Sequence, residues 1–278
     1  MARTFKTADY EATLNSQVSL REALPPDHLA RLATARTALE ARAQKRYQSE
    51  LAAYEEKLRE RESKAQESGR KVGGRQPQPP APGARDKDQY NFTDPESRIM
   101  KNSTDDGFDQ HYNTQVAVDQ ESLLIVAHAV SQAANDKQQA VPTVEAIDER
   151  VGQPAAAALD NGYFSEKNIE ALEARNISPY IATGRESHHR SWQDYFAQQP
   201  APPPASASAK EKMAYKLQTE VGKAIYGLRK STVEPVIGII KVALGFRQFS
   251  LRGLVGAAGE WCLVCLAFNV KRLHSVRG

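Results

Sequence analysis

The sequence predicts an α/β protein, in which a long N-terminal helix precedes a mixed sheet flanked by helices. Residues 27–68 contain no Pro or Gly and are rich in Ala, Glu, Arg, Lys and Leu, a composition that favours a helix. Farther along, short β-branched runs alternate with segments of helical period in the order β-β-α-β-α-β. That alternation is typical of an α/β or mixed sheet.

Each element of this sheet has its own local signal. Residues 112–119 alternate polar and apolar side chains, residues 123–130 form a short apolar run, and residues 120–122 make a polar turn, so the three predict a β-hairpin. Helices are predicted over 136–151, with a regular start near Pro142, and over 165–175, with Ser165 as cap. Strands are predicted over 155–159 and 177–182. From residue 211 onward the chain is predicted helical, with breaks near Gly245 and Gly253.

Composition and charge describe an ordinary globular protein with a basic C-terminal part. Of 278 residues, 40% are hydrophobic and 26% are charged. Residues 209–278 hold 12 Lys and Arg against 4 acids, a balance that favours binding to a phosphate backbone; a merely solvated basic face is the alternative. The apolar run 254–270 is predicted to be a core helix rather than a membrane span, and Cys262 and Cys265 to be reduced, buried thiols of a cytoplasmic protein.

Two groups of residues are candidates for chemistry. Asp160 ends a predicted buried strand, where a carboxylate is placed to hold a divalent metal, although Asp-Asn-Gly also makes a simple turn. Pro235 suits a first helical turn, so Glu234 is predicted at or just before a helix start. Lys241 lies seven residues beyond Glu234 on the same face. With Tyr226 and Arg229 this set suits a site for metal and phosphate, or else an amphipathic helix with a surface ion pair.

Several segments occur in the order seen in one family. These segments are NFTDPESRIMK, GFDQHYNTQVAVD, LDNGYFS, STVEPVIGIIKVALGFRQFSLRGL and EWCLVCLAFNVKRL. Over residues 91–274 the chain thus resembles DDE transposases of bacterial insertion sequences. The resemblance implies a ribonuclease H-like fold in which three carboxylates bind two Mg²⁺ ions for DNA cleavage and strand transfer at insertion-sequence ends. Its expected partners are transposon-end and target DNA and a second copy of the chain in a homo-oligomer, with no membrane.

The resemblance also implies roles for individual residues. Asp160 resembles the second catalytic aspartate and Glu234 the third carboxylate, so both are expected to be metal ligands. DNA contacts are expected from the basic and aromatic residues of the same region, which are Tyr226, Arg229, Lys241, Arg247 and Arg252. The spacing from Arg229 to Glu234 is one residue longer than the commonest version of the signature.

The sequence departs from the family pattern at its first catalytic aspartate. Residues 1–31 resemble the extreme N-terminus of the family, whereas the next residues resemble the helical insertion that follows the first aspartate, so an internal deletion near Arg31 is expected. The expected organisation is an N-terminal remnant (1–26), a long helix (27–68), a disordered basic linker (69–90) and an incomplete catalytic domain (91–278).

The missing first strand would be central in the sheet. Without it, the hairpin and the strand ending at Asp160 must pair directly or leave ladder groups unpaired, and each buried unpaired group costs about 1–3 kcal/mol. Two functions are therefore expected: a transposase with little or no activity, or a catalytically dead remnant that binds DNA and interferes with an intact transposase. A general nuclease of the same fold is a third.

Overall fold

The computed structural model describes residues 4–6, 26–70, 73–101, 107–184 and 201–277. They form two compact units, Met1–Pro95 and Glu96–Gly278. The predicted N-terminal remnant, 1–26, lies almost entirely outside the described residues.

The first unit is built on the predicted long helix, α1 (Pro26–Ser68). Strand β1 (Thr4–Lys6) pairs antiparallel with β2 (Gln89–Asn91), and Tyr90 of β2 packs against Ala35 and Leu39 of α1. Two ion pairs tie residues of the predicted basic linker to the same helix; they join Arg46 to Asp88 at 2.7 Å and Arg85 to Glu50 at 2.7 Å. These contacts place the end of the predicted linker against α1.

In the part of the second unit that the structure describes there are three pairs of strands and five helices. The strands are β3 (Arg98–Lys101), β4 (Phe108–His111), β5 (Asn113–Val118), β6 (Ile125–Ser131), β7 (Ala156–Leu159) and β8 (Ser178–Ile181). The helices are α2 (Ala140–Glu145), α3 (Glu166–Glu173), α4 (Ala209–Gln218), α5 (Glu220–Val242) and α6 (Leu254–Arg277). The pairs β3–β4 and β5–β6 are antiparallel, and β7–β8 is parallel. The predicted α/β class and the hairpin β5–β6 are confirmed.

The main core lies where α5 and α6 cover the hairpin β5–β6. Val236 and Ile240 of α5 meet Ile125 of β6 and the buried face of α6, which carries Trp261 and Phe268. Asn269 of α6 also donates to the carbonyl oxygen of Ile125 and accepts from its N–H, both at 2.8 Å. The predicted core helix at residues 254–270 is thus confirmed on this face. Over Leu254–Val276, α6 is also long and apolar enough to cross a membrane by length and composition alone.

A second core lies between β7–β8 and helices α3 and α4. Ile169 of α3 and Met213 of α4 pack on Ile181 of β8. Tyr226 of α5 packs with Tyr180 and Ala182 at the end of β8. Helix α5 therefore contacts both strand pairs, since its other end lies on β5–β6.

The strands do not form the single mixed sheet that was predicted. They form four separate two-stranded sheets, and no backbone hydrogen bond joins β5 to β7 among the residues that the structure describes. Ala155, just before β7, and Leu159, at its end, accept from the N–H groups of Ser178 and Ala182, at 2.9 and 3.2 Å. Because bonding residues alternate in a parallel ladder, Ala156 and Ala158 turn their backbone groups away from β8.

Of the two outcomes expected without a central strand, the structure therefore has the second, in which the edges of β5 and β7 stay apart. To join the β5–β6 and β7–β8 pairs into one sheet, a further strand would have to pair with both, and no described residue forms one. The ribonuclease H-like sheet stays a prediction, and so does the deletion near Arg31.

Candidate functional site

Helix α5 carries most of the predicted site residues and begins earlier than predicted. The hydroxyl of Thr219 caps it by accepting from the N–H of Gly222 at 3.0 Å. Pro235 therefore lies in the interior of the helix, and the prediction that a helix starts near Glu234 is wrong. An interior proline costs about 3 kcal/mol. The helix continues because Val236 and Ile240, which lie one and five residues beyond the proline, are both 1% exposed in the main core.

Asp160 follows β7 directly, as predicted, but the residues of β7 are half-buried and not buried as expected. Its carboxylate accepts from the N–H of Asn161 at 2.7 Å and caps a 3₁₀ turn, Asn161–Tyr163. The side chain is 62% exposed. The simple turn that was the alternative interpretation is therefore present, and the carboxylate remains open to solvent on its other side.

Arg229 lies between Asp160 and Glu234. Its Nη1 is 3.8 Å from Asp160 Oδ2, and its Nη2 is 4.0 Å from Glu234 Oε1. The two terminal nitrogens of a guanidinium are about 2.3 Å apart in a planar fork, so the two carboxylate oxygens lie within roughly 10 Å of each other. The two predicted catalytic carboxylates thus share one side of the unit, and the structure adds a cation between them.

The side chain of Arg229 is largely buried and packs against the ring of Tyr226. It is only 17% exposed, and its Cζ lies 5.5 Å from the centre of the Tyr226 ring, a cation–π distance. Its Nε is buried and has no hydrogen-bond partner among the described residues. The side chain is therefore placed by packing on Tyr226, while its two outer nitrogens face the carboxylates.

This arrangement does not fit the pair of Mg²⁺ ions that the resemblance implied. Mg²⁺ needs near-octahedral coordination by oxygen and is held in proteins by carboxylates. In the part of the chain that the structure describes, no group of three or more His, Cys, Asp or Glu side chains is placed to hold a metal ion. Asp160 and Glu234 are two carboxylates, and a guanidinium already lies between them.

Of the five residues predicted to contact DNA, Tyr226 is buried, Arg229 is 17% exposed and the other three are exposed. Tyr226 is buried, so the structure gives its ring a packing role beneath Arg229, and its DNA contact stays a prediction. Lys241, Arg247 and Arg252 are exposed. The Nε of Arg247 donates to the backbone carbonyl oxygen of Lys241 at 3.4 Å, which places the Arg247 guanidinium at the C-terminal end of α5.

Sequence reasoning missed a polar cluster beside Asp160. The side-chain amides of Asn113 and Gln115 both donate to Asp136 Oδ1, at 2.8 and 2.9 Å, and Tyr163 donates its hydroxyl to Gln115 Oε1. Burial raises the pKa of Tyr163, and the charges of Asp136 and Asp160 raise it further. The cluster therefore links β5 to the turn after β7 through side chains. A signal was present, because Asn113 and Gln115 are two apart in a strand and so share a face.

Comparison with known proteins gives one match. Residues 201–274, about a quarter of the chain, match the family model described as a transposase DDE domain. The matched stretch contains Arg229, Glu234 and Lys241, whereas Asp160 lies outside it. Searches of curated proteins and of solved structures each found no match.

Proposed function

We propose that this chain, which belongs to the DDE transposases by its C-terminal match, binds DNA along helix α5 and leaves that DNA uncut. The supporting observation is a stripe of three lysines on one exposed face of α5, a face that Glu234 shares. Lys223, Lys230 and Lys241 are all exposed and are spaced by seven and eleven residues. At 100° per residue these spacings keep the three side chains within about 20° of one another around the helix axis.

The dimensions and charge of this lysine stripe suit a nucleic acid backbone. It runs about 27 Å along the helix, and one strand of DNA presents a phosphate about every 3.4 Å. Arg247, bonded to the carbonyl oxygen of Lys241, extends the positive charge beyond the end of α5. The surplus of basic over acidic residues in 209–278 adds a favourable field around the stripe.

The absence of cleavage is inferred from the carboxylate pair. DNA hydrolysis by a two-metal route needs carboxylates that together hold both ions. Here Asp160 and Glu234 face a guanidinium, and the described residues form no group of three or more carboxylate, His or Cys side chains placed to hold a metal ion. A chain that occupies DNA without cutting it would compete with an intact transposase for the same DNA, which is the interference expected from the sequence.

DNA binding is tested by fluorescence anisotropy with a 30-base-pair duplex over a series of salt concentrations. Each phosphate contact contributes about −0.9 to the slope of log K against log salt. The variant Lys230→Ala/Lys241→Ala should therefore lower the steepness of that slope by about 2 and weaken binding at low salt. The control Lys57→Ala/Lys64→Ala removes two exposed lysines from α1 and should leave the slope nearly unchanged. An equal decrease of the salt slope in the two variants would show that only net charge matters and would refute DNA binding by the lysine stripe.

Cleavage is tested separately with a supercoiled plasmid and Mg²⁺, because nicking of a plasmid needs no knowledge of an end sequence. We expect no nicked or linear product from the wild-type chain. Nicking that disappears in Asp160→Asn would refute the non-cleaving half of the proposal and would assign Asp160 a catalytic role. DNA binding is measured without metal, so its result stands independently.

A further inference from the structure

Helix α6 is apolar on two opposite faces, and only one of them is covered by this chain. The covered face carries Trp261, Cys265 and Phe268, which belong to the main core. The opposite face exposes a row of apolar side chains, with Val255 86% exposed and Leu266 56% exposed. A helix that is hydrophobic all round is normally buried on all sides.

The exposed residues form a continuous stripe, here called the α6 seam. Its members are Val255, Gly259, Cys262, Leu266, Val270 and Leu273, with Leu263 beside them. Their spacing of four, three, four, four and three residues is the spacing that keeps side chains along one side of a helix that packs on another helix. Gly259 leaves room for a close approach within the seam.

No charged residue interrupts the seam. Glu260 points elsewhere, since its carboxylate accepts from the N–H groups of Ser250 and Leu251 at 2.9 Å. Arg272 donates to the carbonyl oxygen of Ser122, on the side of the hairpin β5–β6, at 2.8 Å. The seam is therefore neutral along its length, and pairing it with a copy of itself desolvates no ion.

We propose that the α6 seam is the interface of a homodimer, in which the α6 helices of two copies pack against each other. The exposed surface of its side chains amounts to roughly 600 Å² per copy, so complete burial of the seam would remove at most about 1,200 Å² from solvent, which reaches the ~1,000 Å² expected of a specific interface. A two-fold axis places the same patch on both partners, which suits a surface that is apolar and uncharged throughout. This inference does not depend on DNA binding.

A lipid bilayer could also cover an apolar helix of this length. The contacts of α6 within the fold disfavour a membrane span. A membrane span would have to leave the main core and expose it. It would also break the hydrogen bond from Trp261 Nε1 to the carbonyl oxygen of Gln115, at 3.3 Å, and the two bonds between Asn269 and the backbone of Ile125. A second copy of the chain covers the seam and leaves all of these contacts in place.

The mass of the full chain in solution tests the dimer. Multi-angle light scattering after gel filtration should give twice the 30.7 kDa of one chain. Leu266→Glu places a charge in the seam and should weaken dimerisation by at least about 100-fold, because it acts on both copies at the centre of the interface. Ala267→Glu is the matched control, since Ala267 is exposed one residue away and lies off the seam. That variant should remain a dimer.

Cysteine chemistry gives a second measurement on the unaltered fold. Cys262 is exposed and Cys265 is buried, which corrects the expectation that both thiols are buried. Burial raises the pKa of Cys265 to about 12, so the thiol of Cys262 is the reactive one. Because the second copy would cover Cys262 in the dimer, N-ethylmaleimide should alkylate Cys262 slowly in the wild type and faster in Leu266→Glu.

The proposal is overturned by a monomer at all concentrations, by aggregates of no fixed mass, or by a dimer that Leu266→Glu leaves intact. Flotation with phosphatidylcholine vesicles that depends on Leu266 would assign the seam to a membrane instead. Circular dichroism of each variant at equal concentration establishes that a lost dimer is not a lost fold.

Discussion

Replacing Arg229 with Gln should raise the affinity of the Asp160–Glu234 pair for a divalent cation by about 30-fold. The guanidinium lies 3.8 Å from one carboxylate and 4.0 Å from the other, so a cation placed between them would sit about 4 Å from a positive charge. Both carboxylates are more than half exposed, so the dielectric constant of water applies. Two unit charges at 4 Å then repel by about 1 kcal/mol, and a divalent ion by about 2 kcal/mol, which is a factor of about 30.

Binding of Mn²⁺, measured from the loss of the free-ion electron paramagnetic resonance signal, reports this affinity without any reaction. Arg247→Gln is the matched control, because it removes the same charge from an exposed arginine of the same segment. Asp160→Asn added to Arg229→Gln should cancel the gain. Equal Mn²⁺ affinities in wild type and Arg229→Gln, or tight binding of two Mn²⁺ ions by the wild type, would refute the view that the guanidinium takes the place of a cation.

Two further predictions concern stability, measured by urea unfolding. At Gly222 an added Cβ would lie 1.9 Å from the carbonyl oxygen of Lys216, so Gly222→Ala should cost at least about 2 kcal/mol. Gly227→Ala, on the same helix with open space around it, should stabilise by about 1 kcal/mol, and similar losses in both would contradict the clash. Hydrogen bonds from the Ser122 hydroxyl and N–H lower the pKa of Asp119, so this group stabilises the fold above pH ~4 and loses that effect as pH falls below it. Ser122→Ala should reduce the loss of stability between pH 5 and pH 2, and an unchanged pH profile would contradict this assignment.

The hairpin β5–β6 and helix α3 could be predicted because their signals are local. Alternation with period two places one face of residues 113–118 inward, and the turn from Asp119 to Ser122 closes the hairpin through hydrogen bonds over three residues. Ser165 caps α3 by accepting from the N–H of Asn168, as its position before a helical pattern predicts. The breaks near Gly245 and Gly253 are also present, and both glycines have positive φ.

The start of α5 could not be predicted from Pro235, because the local rule was outweighed by tertiary packing. Proline prefers the first turn of a helix, but burial of the residues that follow Pro235 keeps the helix continuous on both sides of it. The predicted helix over 136–151 is confirmed only in part, since it begins at Ala140, near the predicted start at Pro142. It ends at Glu145 and continues as a 3₁₀ turn, Glu149–Val151, where Asp148 accepts from the N–H of Arg150 and competes with the helical bond.

Contacts between residues far apart in the sequence could not be predicted from local patterns. The sequence marks Asp160, Arg229 and Glu234 as candidates, but the contact from Arg229 of α5 to Asp160 joins separate elements, whereas Arg229 and Glu234 share one helix. An exposed ion pair leaves no periodic trace in a sequence. The separation of the strand pairs was foreseen only as one of two outcomes, because strand pairing depends on which backbones meet in space.

The gap between the β5–β6 and β7–β8 pairs bears on how the second unit unfolds. Cooperative unfolding requires that the opening of one part costs contacts in the next. Ladder hydrogen bonds do not carry that coupling across the gap, so it rests on two helical links and on the side chains of the Asp136 cluster. One link is α5, which packs against β5, β7 and β8, and the other is α2, which packs against the hairpin β5–β6 and against α3. A helix with a proline in its interior is thus one of the two helical links of the unit, and loosening α5 would weaken the coupling between the two halves.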